Sequence, residues 1–268
     1  LSLRQNEGLL FRIHAKTISI MKIQIILWGF LMAAIPSWGQ DAREIIRKAE
    51  LNRLGDAATY SEMTMTIQRP DWSREMGIKA WSKGQDYSLM LITSPARDAG
   101  TAFLKRENEL WNWQPTIERT IKMPPSMMSQ SWMGSDFSNE DLVRQISLVE
   151  DYEHTYLGEE SIQGRMTYKI QLVPKPDVPV VYSKIISWID QERYVEVKSE
   201  AYDEDDELVQ TVTGEEVKKI QGYWVPTKMT VQPADEPDHL TIIQQTKVDY
   251  DVSIAPRFFS IQNMKSID

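Results

Sequence analysis

The stretch YSEMTMTIQRPDWSREMGIKAWSKGQDYSLMLIT, Tyr60–Thr93, decides the fold. Its apolar period is two: Met63, Met65 and Ile67 fall on one side of an extended chain, and Thr64, Thr66 and Gln68 on the other. The period breaks at RPDW (Arg69–Trp72) and again at KGQD (Lys83–Asp86), both built from turn-forming residues. Connections this short join only antiparallel neighbours, because a parallel crossover needs about a dozen residues or more.

Working outward, the same rhythm recurs. Short strands are expected over Thr101–Lys105, Glu109–Gln114 and Ile117–Met123, and in the second half over Tyr152–Leu157, Arg165–Val173, Ser183–Asp190, Tyr194–Tyr202, Leu208–Ile220, Tyr223–Gln232 and His239–Val252. An antiparallel meander of roughly 11 to 13 strands is too long to stay flat and should curl into a barrel or half-barrel with a concave face to fill. Ahead of it, DAREIIRKAELNRL (Asp41–Leu54) places Ile45, Ile46, Ala49 and Leu54 at helical spacing, with Gly55 as the stop. The fold class is therefore mainly β, with an N-terminal helix and a few helical turns.

Met21, Lys22 and the apolar run that follows read as a secretory signal peptide over 21–39, with residues 1–20 upstream of the true start and 40–268 as one domain. An uncleaved anchor is the alternative. Residues 40–268 keep 26 of the 30 basic and 38 of the 39 acidic residues, a formal charge of −12. Such a surface repels phosphate backbones, which argues against a nucleic-acid partner. With no cysteine in the sequence, a disulfide framework, a thiol nucleophile and a cysteine-based zinc site are all excluded.

Candidate binding residues come from large or flexible apolar groups near the middle of the chain. Trp111 and Trp113 alternate along LWNWQ, and Met63, Met65, Trp81 and Phe103 lie on neighbouring strands. Such residues are either ordinary core or the wall of a ligand cavity. The segment MPPSMMSQSWMGSDFSNEDL (Met123–Leu142) is too irregular for a strand. Pro124 and Pro125 end the strand before it, Ser138 and Asp141 form a capping box for a short helix beginning DLVRQ, and Met127, Met128, Trp132, Met133 and Phe137 lie in it. Methionine adapts to irregular apolar shapes, so this segment suits a mobile lid over an acyl guest or a fixed plug. Arg119 alternates with Ile121 and Met123, which sets a cation among apolar neighbours. Either Asp136 or Glu140 would latch it to the lid, or a bulge turns it outward, or the side chain snorkels to the rim.

The run GTAFLKRENELWNWQPTIERTIKM (Gly100–Met123), then GSDFSNEDL (Gly134–Leu142) and GYWVPTKMTV (Gly222–Val231), resembles the outer-membrane lipoprotein-sorting proteins, the LolA-like group. The resemblance implies an open, unclosed antiparallel β-barrel with a helical lid over a hydrophobic cavity, and carriage of lipoproteins or other lipids across the periplasm. It also implies a membrane transporter or outer-membrane acceptor as partner, and neither metal nor organic cofactor. The chain has no motif that matches the lid-latching arginine of those carriers, so Arg119 is read from strand parity alone.

An enzyme is the first rival. There is no GxSxG elbow and no phosphate-binding or dinucleotide glycine motif, and His14, His154 and His239 have no nucleophile at motif spacing. The DEDDE run (Asp203–Glu207) lacks the glycine and distal glutamate of a calcium loop and reads as a solvated hairpin tip. The second rival is a periplasmic assembly module that uses the Met and Trp residues as a protein interface.

Overall fold

In a computed structural model, described over residues 41–267 apart from 56, 108, 140, 142–146, 177 and 179, the period-two segments are strands. The expected leader, Glu140 and nearly all of the DLVRQ helix lie outside the described residues. Helix α1 (Ala42–Leu54) starts where Asp41 accepts from the backbone N–H groups of Arg43 and Glu44 at 3.1 and 3.3 Å. It stops at Gly55, where φ is 70° and an added Cβ would stand 2.7 Å from Tyr250 Cδ1.

Thirteen strands follow among the described residues: β1 (Ala58–Gln68), β2 (Ser73–Lys83), β3 (Tyr87–Ser94), β4 (Ala102–Arg106), β5 (Glu109–Gln114), β6 (Arg119–Lys122), β7 (Tyr152–Ile162), β8 (Arg165–Pro174), β9 (Lys184–Asp190), β10 (Glu196–Tyr202), β11 (Leu208–Ile220), β12 (Tyr223–Pro233) and β13 (Leu240–Val252). A short helix α2 (Ile261–Ser266), capped by Ser260 and absent from the sequence reading, ends the chain. The strand expected from Ile117 begins only at Arg119, because Pro115–Ile117 form a 3-10 turn and Glu118 sits at φ 51°.

The strands make one antiparallel sheet, ordered β6-β5-β4-β3-β2-β1-β13-β12-β11-β10-β9-β8-β7. It does not close: β6 and β7, consecutive in the chain, lie at opposite ends. Helix α1 packs against β7, β9 and β12 together. Strands β7 and β12 are five places apart, about 24 Å in a flat sheet at about 4.8 Å per strand. A helix about 10 Å across reaches both only if the sheet curls around it. That curl defines a concave face, and Ala42, Ile45 and Ile46 pack there against Tyr168, Ile170, Leu172 and Ile189.

Candidate functional site

Two covers lie on the concave face: α1 at the β7 end and residues 123–139 at the β6 end. The second cover is a compact loop of its own. Trp132 N–H donates to Phe137 O at 2.7 Å, Asn139 N–H to Gln130 O at 2.9 Å, and Asn139 Nδ2 to the carbonyl of half-buried Met127 at 2.9 Å. Met133 and Gly134 turn the chain at φ 54° and 81°. The expected capping box is formed, with Ser138 N–H donating to Asp141 Oδ2 at 2.7 Å and Asp141 N–H to Ser138 Oγ at 3.1 Å.

The loop is latched through Asp136, but not to Arg119. Arg119 lies on the short edge strand β6, where it is exposed. The partner is Arg69, in the RPDW turn after β1. Its Nη2 donates to Asp136 Oδ1 at 2.8 Å and to Gly134 O at 3.1 Å, and its Nη1 to Asp136 Oδ2 at 3.3 Å. Thr241 Oγ1 adds a 2.7 Å bond to Asp136 Oδ2 and accepts from Asp136 N–H at 2.9 Å. The two ionic side chains are only 10% and 5% exposed, so the pair is a buried one. Arg74 donates to the carbonyl of Met133 beside it.

Cross-strand register divides the expected lining residues between two faces. Met63 pairs with Ile78 and Met65 with Met76, and Met90 pairs with Phe103, all on the concave side. There Met63, Met65, Phe103, Met128, Met133 and Phe137 gather around buried Trp132, whose ring meets Phe103 edge-on at 5.4 Å. Trp81, Trp111 and Trp113 do not join them. Trp81 pairs with Leu89, Leu104 with Trp111 and Ala102 with Trp113, on the convex side, where these indoles pack with Phe258, Phe259 and Met264 of the C-terminal segment. Alternation within one strand cannot show this, because it fixes which residues share a side and not which side faces inward.

Beneath the methionine-rich segment the Trp132 ring fills space between the loop and the sheet. A cavity of about 140 Å³ opens under α1, walled by Ile46 and Leu148 and by Val212, Trp224, Val225 and Met229 of the sheet. None of the residues expected to line a hollow lines this one. It borders the Trp132 cluster directly, since Met229 pairs with Ile243 and Gln245 with Met63. Polar groups also face it. Glu50 is fixed by Ser147 Oγ at 3.3 Å and Leu148 N–H at 3.2 Å. Glu196 accepts from Ser187 Oγ at 2.5 Å and Ser199 Oγ at 3.2 Å. Burial pushes the Glu196 carboxyl above the ordinary carboxylate range, against the pull of the two hydroxyls and of the Arg53 charge. Burial, with Tyr223 alongside, pushes the Tyr250 phenol up to about 12. Gly214 keeps the wall thin, because a Cβ there would stand 2.8 Å from the Glu196 carbonyl oxygen. In the sequence Glu196 was legible only as one acid between Val195 and Val197, and Arg69 only as a turn residue. Among the described residues no group of three or more His, Cys, Asp or Glu side chains is placed to hold a metal.

A family model described as an uncharacterized protein matches residues 84–266. The curated proteins yield no match. A crystal structure of a DUF1329 family protein from Desulfovibrio piger is 26% identical, with a TM-score of 0.74 over 83% of this chain and 98% of that one. An outer membrane lipoprotein-sorting protein domain from Vibrio parahaemolyticus is 23% identical, with a TM-score of 0.73 over 84% and 98% of the two chains. A LolA superfamily protein from Nitrosomonas europaea is 24% identical, with a TM-score of 0.70 over 82% and 98%. At under a quarter identity the last two speak to the fold. Because the matching model spans well over half of the sequence, the chain belongs to that family, and its open sheet shares the fold of these three structures.

Proposed function

We propose that the protein is a periplasmic carrier that shields acyl chains of lipoproteins or other lipids and moves them towards the outer membrane. The observation that carries this reading is a cavity on the concave face with mostly apolar walls, roofed by a helix and flanked by a methionine-rich loop. The leader expected at 21–39 and the lipoprotein-sorting relative from Vibrio parahaemolyticus support it.

No bond need be made or broken, so the reading calls for no catalytic group. Burying a methylene is worth about 0.8 kcal/mol, and about 15 of them give about 12 kcal/mol, which is what a bilayer also offers. Unloading therefore requires an acceptor that opens the covers or presents a better apolar site. A hollow of about 140 Å³ matches the size that admits one benzene ring, about 150 Å³. A long chain must then extend under the loop and displace Trp132.

Lipid mass spectrometry on the protein purified gently from its native envelope tests the proposal. Acyl lipid in stoichiometric amount is the expected result. A lipid-free protein that comes out with a stoichiometric protein partner would instead identify an assembly module.

A further inference from the structure

A cavity meant only for hydrocarbon would be lined by hydrocarbon, and this one is not. Gln245 of β13 faces it, and the side-chain Oε1 is buried without a hydrogen-bond partner among the described residues. Across the sheet Gln245 pairs with Met63, whose side chain offers no donor. The other polar side chains of the wall have partners of their own: Arg53 lies 3.8 Å from Glu50 and Lys198 2.6 Å from Glu200. Glu196 is held by Ser187 and Ser199, and Glu50 by Ser147 and Leu148. Asn52 Nδ2 donates to the carbonyls of Arg193 and Tyr194 at 2.8 and 2.9 Å, and the Tyr250 hydroxyl to the carbonyl of Asn52 at 3.2 Å. A buried carbonyl left unpaired is costly, and a Leu or Met at 245 would continue the apolar wall without that cost.

We infer that the cavity takes a ligand with a hydrogen-bond donor, a hydroxyl or an amide N–H, set on an apolar chain, and that Gln245 Oε1 accepts that hydrogen. This deepens the carrier reading and rests on it: the donor sits at the Gln245 wall while the chain runs towards the Trp132 loop. A hollow of this size holds the linkage and the first few carbons, so the linkage is the part the site can discriminate. Hydroxylated and amide-linked chains are bound, and simple ester-linked chains, which only accept, gain nothing from Gln245.

The test uses an isosteric pair, N-methyldodecanamide and methyl dodecanoate, titrated calorimetrically into the full chain and into Gln245→Leu. The wild-type protein should bind the amide about tenfold more tightly than the ester, the size of a single hydrogen bond that satisfies a buried acceptor. The Gln245→Leu protein should bind both probes alike, with its ester affinity equal to or above that of wild type, which also shows that the variant is folded. Equal affinity of wild type for the two probes, or preference for the ester, would overturn the inference and leave the carrier reading intact. Binding of neither probe would overturn both.

Discussion

Arg69 shows how much a single side chain carries that local pattern does not reveal. Parity along IERTIKM puts Arg119 on the side of Ile121 and Met123, yet the strand is four residues long and at the sheet edge, and both Arg119 and Ile121 are exposed there. Arg69 sits in a turn, where periodicity has nothing to say, and its carboxylate partner is 67 residues away. Removing one member of a buried pair leaves the other charge uncompensated, so Arg69→Ala should cost about 3–5 kcal/mol in denaturant unfolding. Arg119→Ala should change the same measurement by no more than about 0.5 kcal/mol. Glu196 gives a second expectation at this scale. Its folded pKa lies above the ordinary 4.5, so the folded protein holds a proton that the unfolded chain releases. Its contribution is greatest below the unfolded value and is lost as pH rises through the folded one. Glu196→Gln cannot ionise. Its melting temperature should match wild type at pH 4 and exceed it at pH 8, and a difference that shrinks with rising pH would contradict the assignment.

At the scale of elements, the strands were legible and the covers only in part. Alternation in Tyr60–Thr93 and the short turns after it are enough to give the antiparallel meander, because side-chain period and connection length are local properties. Helix α1 was equally readable from Asp41, the Ile45–Ile46 pair and Gly55. Where α1 docks was not, since that depends on curvature summed over β7 to β12. The loop at 123–139 shows the same division. Its capping box and its break at Pro124–Pro125 follow from the residues, whereas its registration onto Phe103 and Met65 depends on strands paired across the sheet. Trp132 is the pivot of that cover. It is 3% exposed, and its Nε1 has no hydrogen-bond partner among the described residues, so the indole contributes by filling space. Trp132→Ala should therefore destabilise the protein by about 3–5 kcal/mol, the usual range for an emptied aromatic site. It should also enlarge the hollow towards β1–β5, with tighter binding of a fluorescent acyl probe. Unchanged probe binding would mean that the loop relaxes into the gap.

The whole molecule is an unclosed sheet whose two end strands are joined by the segment that covers its concave face. Such ends are hazards unless blunted. Strand β6 is only four residues long, and β7 carries Glu153, Glu159 and Glu160 and a register shift between Tyr156 and Gly158. An open sheet also permits what a closed barrel forbids: the space between its ends can widen without breaking any strand pairing. Arg69, Thr241 and the Trp132 cluster tie the loop to β1 and β13 at the centre of the sheet, while α1 holds the other half. The cavity between them is too small for a long chain, and its continuation is occupied by Trp132. On the proposed function, binding of such a chain is linked to release of the loop, and hydrogen exchange reads that linkage. The amides of Trp132 and Asn139, bonded within the loop to Phe137 and Gln130, should exchange faster when a ligand with a sixteen-carbon chain is bound. Those of β1 and β13 should be unaffected, and a ligand with a four-carbon chain should leave the loop as it was. Greater protection of the loop with the long chain would show that the guest is accommodated elsewhere, beneath α1 alone.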